Sequence, residues 1–207
     1  VAHGARVSLA VGAVAAVLSL LLGLVVGAVG GYFGGWLDDI LTRVTELFQT
    51  VPSFLLVIVL VTIARPSAAV VIFAIGLASW PVIARLVRAE FRSLREREFV
   101  LAARALGMSP ARIILREILP NALPPVIVTT SVLVATAILM ESALSFLGLT
   151  DPNAVSWGRM IGEGREFLRS AWYLSAVPGL AIVVTVLALN LVGDGLNDAF
   201  NPRLRRR

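Results

Sequence analysis

The sequence predicts an all-α, polytopic membrane protein with about five transmembrane helices and one helical hairpin between the third and the fourth. Hydrophobic residues make up 58% of the 207 residues and charged residues only 15%, and the mean hydropathy is +0.90. Soluble globular proteins of this length are far less apolar. Because a membrane-spanning helix needs about 20 mostly apolar residues, residues 1–207 accommodate one transmembrane domain with several spans and short loops.

Five apolar runs predict the spans. The first contains no charged residue and is longer than the roughly 7 to 15 apolar residues of a signal-peptide core. Its Gly23-x-x-x-Gly27 spacing favours close approach of another helix, although glycines merely scattered through an apolar span would look the same. The second run is short and reaches spanning length only if its helix begins near Val44 and tolerates Pro52. The predicted spans are residues 7–31, 47–64, 68–88, 122–147 and 171–193.

The placement of arginine predicts the orientation of the spans. All 18 basic residues are arginine, against 13 acidic residues. Short loops rich in positive charge are retained in the cytoplasm. Placing the loop 89–121 in the cytoplasm puts 13 arginines inside, among them Arg203, Arg205, Arg206 and Arg207 of the C-terminal tail, and leaves five outside. This orientation predicts an external N-terminus.

The composition argues against several classes of function. The chain has no cysteine and a single histidine, His3, so it offers little for a serine-histidine-acid triad or a histidine metal site. We therefore predict no enzyme activity and no bound metal. The arginines flank apolar runs, as membrane topology requires, which indicates membrane lipid rather than nucleic acid as the surrounding partner.

The loop 89–121 contains a predicted helix-turn-helix, here called the hairpin (residues 98–121). Glu98 to Leu106 is rich in Ala and Leu and lacks Pro and Gly, which favours a helix that Gly107 can end in the left-handed conformation. Ser109 as N-cap and Pro110 at the first helical position begin a second, short helix that ends before Pro120. Its apolar side chains need either a protein partner or the membrane surface.

The residues of the hairpin resemble a known motif. The segment A102-A-R-A-L-G107, followed by L119-P-N121, resembles the cytoplasmic coupling motif of binding-protein-dependent ABC permeases, whose pattern is Glu-Ala-Ala, three residues, Gly, and later Ile-x-Leu-Pro. Leu101 stands where the pattern has glutamate, and Glu117 where it has isoleucine. In that family the hairpin fits a cleft on the ATPase subunit.

Further segments resemble the second permease subunit of the dipeptide/oligopeptide (peptide/nickel) branch. They are E141-S-A-L-S-F-L-G148 with S156-W-G-R-M160, L189 to D198 with N201-P-R-L204, and G4-A-R-V-S-L9. Members of that branch carry one more span before the last of these segments, so we expect the chain to lack a first transmembrane span.

The resemblance implies a multi-pass permease subunit of an ATP-driven importer in a bacterial or archaeal plasma membrane. Its implied partners are a second permease subunit in a heterodimer, two ABC ATPase subunits and an extracytoplasmic solute-binding protein. ATP and Mg are implied on the ATPase subunits and no cofactor on this chain. Di- or oligopeptides are the leading substrates, with glutathione and nickel chelates left open.

Two sets of candidate site residues follow. An ionisable residue at membrane depth indicates a functional role. The alternative for Glu141 is that its position near Gly148 lets it reach interfacial water. The candidate residues for a translocation path or gate are Glu141, Ser142 and Asn190. The candidate ATPase-docking residues are Glu98, Phe99, Ala102, Ala103, Leu106, Gly107, Ser109, Pro110, Ile113, Ile114, Leu119 and Pro120.

The sequence is compatible with two rival functions. A secondary, ion-coupled transporter would need ion-coupling residues within its spans and often carries inverted repeats, neither of which is clear in the sequence. A non-transporting membrane assembly subunit is the second rival.

Overall fold

The computed structural model describes residues 1–200, which form helices and turns without a β-strand between Val1 and Phe200. The predicted all-α class is confirmed. The arginines of the tail and the segment 201–204 lie outside the described residues. The helices are α1 (Ala2–Phe33), α2 (Gly35–Thr50), α3 (Ser53–Ala64), α4 (Ala68–Leu94), α5 (Glu98–Ala105), α6 (Pro110–Arg112), α7 (Leu119–Phe146), α8 (Trp157–Gly164) and α9 (Tyr173–Phe200), with a π-helical segment at Ile113–Ile118 and a 3₁₀ turn at Arg165–Phe167.

Four helices are long and apolar enough to cross a membrane, and the number is five if a bent pair of helices counts as one span. The four are α1, α4, α9 and one continuous helix over Pro110–Phe146, which joins α6, the π-helical segment and α7. The pair is α2 and α3, whose axes differ by 83°. The prediction of about five spans is therefore confirmed.

A straight second span over residues 47–64 is not what forms. The helix breaks at Val51 and Pro52, both of which have extended backbone conformations. Proline lacks an amide hydrogen and disfavours helical conformation in the residue before it. The chain therefore turns sharply here, and the apolar α3 is only 12 residues long.

Glycine contacts bring α1 against α4 along the hairpin half of the molecule. A Cβ atom on Gly27 would lie 2.5 Å from the Ala84 carbonyl oxygen, and similar overlaps would arise at Gly23 and Gly31. These glycines lie four residues apart, on one face of α1. The close-packing interpretation of the Gly23-x-x-x-Gly27 spacing is confirmed.

The second helix of the hairpin does not stop before Pro120, contrary to the sequence prediction. It continues through that proline into α7, because the π-helical segment changes the hydrogen-bond pattern just ahead of it. The Leu119 N–H donates to the Ile114 carbonyl oxygen, five residues back. Such a segment relieves the backbone where a proline can neither donate a hydrogen bond nor fit against the preceding turn. The hairpin is thus a direct extension of a spanning helix.

Candidate functional site

The turn of the hairpin is held by backbone hydrogen bonds around Gly107. The Gly107 N–H donates to the Arg104 carbonyl oxygen at 2.9 Å, and the Met108 N–H donates to the Ala103 carbonyl oxygen at 3.1 Å. Gly107 has φ +73°, the left-handed conformation that was predicted for it and that ends helices without strain only at glycine or asparagine. The glycine therefore fixes the angle between α5 and the helix that follows.

The inner face of the hairpin belongs to the hydrophobic core. Val100, Ala103, Ile113 and Ile118 are buried and pack in one cluster with Phe91 of α4. Two predicted docking residues, Ala103 and Ile113, are thus covered by the chain itself. Their position suits them to hold the hairpin rather than to touch another subunit.

The outer face of the hairpin presents apolar side chains without a covering element in the described chain. Leu106, beside the turn, is 82% exposed, and Phe99 is 40% exposed. The other predicted docking residues divide into two groups. Glu98, Ala102, Gly107, Ser109, Pro110 and Pro120 are exposed, whereas Ile114 and Leu119 are half-buried.

Two exposed leucines on this face were not among the predicted docking residues. Leu115 is 61% exposed and Leu101 is 47% exposed. Leu101 counted only as a departure from the family pattern. Leu115 was missed because the π-helical segment buries Ile113 and Ile118, five residues apart, and so turns a different face outward than an α-helix would.

Arginine side chains of α4 and α5, and one between these two helices, contact the end of α1 and the start of α2. Arg95 donates to the carbonyl oxygen of Gly31 at 3.3 Å, where the last carbonyls of a helix attract positive charge. The Arg104 guanidinium carbon lies 5.3 Å from the centre of the Tyr32 ring. Arg88 pairs with Asp38 through both carboxylate oxygens. These pairs join residues far apart in the chain, and no local pattern reveals them.

Glu141 lies at the distal end, the end of the molecule opposite the hairpin, and is buried in a hydrogen-bonded cluster. Its carboxylate accepts hydrogen bonds from the hydroxyls of Ser8 at 2.9 Å and Ser145 at 2.7 Å, and it is only 2% exposed. Hydrogen bonding of this kind is what makes burial of a carboxylate tolerable. The carboxylate therefore joins α1 to α7 through its hydrogen bonds with Ser8 and Ser145.

The three candidate gate residues do not converge on one site. Ser142 is buried beside Gly158 of α8, and its hydroxyl has no hydrogen-bond partner among the described residues. Asn190 is half-buried in α9, one turn from Gly193, which packs on Ser131. Ser131 is ten residues from Glu141 along α7, and since helices rise about 1.5 Å per residue, the two lie about 15 Å apart along the helix axis.

The fold has close counterparts among solved structures. An inward-facing structure of the MetNI methionine ABC transporter superposes with a TM-score of 0.76 at 20% identity, covering 96% of this chain and 94% of that one. With its spanning helices and its hairpin at the arginine-rich end, the chain is a multi-pass membrane protein with the fold of an ABC transporter subunit.

The chain belongs to the family described as "Binding-protein-dependent transport system inner membrane component", which matches residues 10–206. It is 41% identical to the dipeptide transport system permease protein DppC of Alkalihalophilus pseudofirmus, over 99% of this chain and 68% of that protein. It is 44% identical to the "probable peptide ABC transporter permease protein y4tQ" of Sinorhizobium fredii, over 99% and 70%.

These findings confirm the family that the sequence motifs indicated. The chain is a permease subunit of a binding-protein-dependent ABC importer, a type of complex that includes ATPase and substrate-binding partners. Neither a secondary transporter nor a non-transporting assembly subunit is favoured.

Proposed function

We propose that this chain imports di- or oligopeptides as one of two different permease subunits in a bacterial or archaeal plasma membrane. A solute-binding protein delivers the substrate from outside, and two ATPase subunits bind ATP and Mg on the cytoplasmic side, so that this chain itself hydrolyses nothing and holds no cofactor. The peptide permeases at 41% and 44% identity support the substrate class. Lipid surrounds the exposed apolar faces of the spans.

The observation that carries the proposed docking role is the exposed apolar tip of the hairpin. Leu106 projects beside a turn whose geometry Gly107 fixes, and the base of the hairpin is anchored in the core through Ile113. A rigid apolar projection outside the membrane is unfavourable in water and favourable in a complementary cleft. We assign the docking contact to Leu106, Phe99, Leu101 and Leu115, together with the exposed predicted residues.

The continuity of the helix over Pro110–Phe146 supports a lever mechanism. Its 37 residues extend about 55 Å at a rise of about 1.5 Å per residue. When ATP closes the two ATPase subunits, the hairpin moves with them, and the helix transmits that motion to the distal end. Alternating access then follows from rigid-body tilting of the spans.

The chain lacks cysteine, which permits a direct test of docking. A cysteine introduced by Leu106→Cys, labelled with a maleimide-benzophenone, is expected to photocrosslink to the ATPase subunit in the assembled complex. The matched control is Leu168→Cys, also an exposed leucine but in the loop before α9, which should give no such adduct. An assembled complex in which neither Leu106→Cys nor Phe99→Cys reaches the ATPase would refute the docking role.

The substrate class has its own test. The complex, reconstituted in liposomes with its binding protein, is expected to accumulate a radiolabelled dipeptide when ATP is supplied. Accumulation of glutathione or of a nickel chelate in place of the peptide would reassign the substrate without affecting the docking result.

A further inference from the structure

The buried cluster at the distal end has a connectivity that the import function does not by itself require. The Ser8 hydroxyl donates to one oxygen of Glu141 and accepts a hydrogen bond from the Trp157 N–H at 3.2 Å. The Ser145 hydroxyl donates to the other oxygen and accepts from the Ser156 hydroxyl at 2.8 Å. Both routes from the carboxylate therefore end at the first turn of α8.

Because the cluster is buried, its hydrogen bonds stabilise one arrangement of α1, α7 and α8. Ser8, Ser145, Ser156 and Trp157 are all buried together with Glu141. A buried carboxylate that loses its donors is strongly destabilised, because no water replaces them. The cluster thus favours the state in which the start of α8 and α1 both contact α7.

Close backbone contact reinforces the same connection. A Cβ atom on Gly158 would overlap the Ser142 carbonyl oxygen, and one on Gly162 would lie 3.1 Å from the Phe146 carbonyl oxygen. The two glycines lie four residues apart on α8, and so do their contacts on α7. The short helix α8 therefore lies directly against the distal turns of α7.

We propose that Glu141 is a positioning residue that latches α8 to α7 through Ser8 and Ser145, so that α8 moves with the helix that carries the hairpin. The latch itself is a property of the distal cluster. Its part in transport rests on the proposed function, since α6, the π-helical segment and α7 form the lever that joins the docking hairpin to the cluster. Through the latch, movement of the hairpin would be transmitted to α8 at the distal end.

Two spin labels on the complete complex in nanodiscs test the latch. One is attached at Glu166→Cys, in the exposed turn after α8, and the other at Ala69→Cys, in the exposed first turn of α4. We expect a narrow distance distribution without nucleotide, which Glu141→Ala broadens. The double variant Ser8→Ala with Ser145→Ala should broaden it too, and decides the question if Glu141→Ala does not fold.

Matched variants separate positioning from general packing. Ser19→Ala removes another fully buried serine of α1, one whose hydroxyl bonds to α4 and not to the cluster, and it should leave the distribution narrow. Glu141→Gln keeps the size of the side chain together with one acceptor and one donor, so it should restore the narrow distribution that Glu141→Ala loses. A distribution that stays narrow in both Glu141→Ala and the double serine variant would overturn the proposal.

Function gives a second readout. With the latch broken, peptide uptake should fall about tenfold, the scale set by losing hydrogen bonds to a charged group, while ATP hydrolysis continues. Uptake and hydrolysis falling in parallel would instead assign Glu141 a purely structural role. The label distances without nucleotide do not depend on ATPase docking, so failure of the docking crosslink and failure of the latch are separate results.

Discussion

At Gly107 one backbone conformation determines how the tip of the hairpin is presented. A Cβ atom at this position would contact nothing within 4 Å, so the only obstacle to a side chain is φ +73°. That conformation costs a non-glycine residue about 1–2 kcal/mol, whereas asparagine tolerates it. The effect of a substitution here therefore depends on how well the new residue tolerates the left-handed backbone conformation, and not on the available space.

Gly107→Val is accordingly expected to impair uptake and ATPase coupling while membrane insertion stays normal, and Gly107→Asn should behave nearly as the wild type. Uptake and ATPase activity of the reconstituted complex measure both. Gly148→Val supplies a control, because Gly148 has the same backbone conformation and the same open surroundings as Gly107 but lies at the distal end of α7. The Gly148→Val variant should bind the ATPase normally. Normal uptake with Gly107→Val would contradict the lever role.

Substitutions of a buried and of an exposed residue in the hairpin should have different effects, the first on the stability of the fold and the second on ATPase binding. Ile113 is 1% exposed, so Ile113→Ala should lower the free energy of unfolding by about 2–4 kcal/mol. Leu106→Ala removes a side chain that is already in solvent and should leave the thermal midpoint in detergent nearly unchanged while weakening ATPase binding. A Leu106→Ala variant with a strongly lowered midpoint would show that this leucine packs within the chain.

At the scale of elements, the sequence predicts those helix starts and ends that depend on a few neighbouring residues. The start of α5 at Glu98 and the turn at Gly107 follow from propensity and glycine chemistry over a few residues. The continuation of a helix through Pro120 cannot be predicted from neighbouring residues, because it depends on a π-helical segment that packs against α4 and α5. The Ser8–Glu141 hydrogen bond joins residues 133 positions apart, and no local pattern encodes such a pair.

The contact between α1 and α4 makes a prediction at this scale. In Gly27→Leu the new side chain would meet the Ala84 carbonyl oxygen, which belongs to a rigid helix backbone, so overpacking should destabilise the fold by at least about 1–3 kcal/mol. Gly179→Leu in α9, where a Cβ atom meets nothing within 4 Å, is the matched control. The monodisperse fraction in detergent should fall for the first variant only; equal behaviour of the two would argue against this helix pair.

In the whole molecule the arginines are concentrated at the hairpin end, and this uneven charge distribution predicts the orientation in the membrane. Arg88, Arg95 and Arg104 gather around the end of α1 next to the hairpin, and the sequence assigns 13 of 18 arginines to that side. Positively charged loops resist translocation across the membrane, so the hairpin end should face the cytoplasm. The proposed docking role requires the same orientation, because the ATPase subunits bind ATP on the cytoplasmic side.

Labelling with a membrane-impermeant maleimide decides the orientation. In intact cells Leu168→Cys, in the loop before α9, should react, whereas Leu106→Cys should react only in inverted vesicles or after permeabilisation. Both leucines are exposed in the fold, at 52% and 82%, so a difference in labelling reports the side of the membrane and not burial. The reverse pattern would place the hairpin outside, out of reach of any cytoplasmic ATPase, and the lever mechanism would fail with it even though the helical fold would stand.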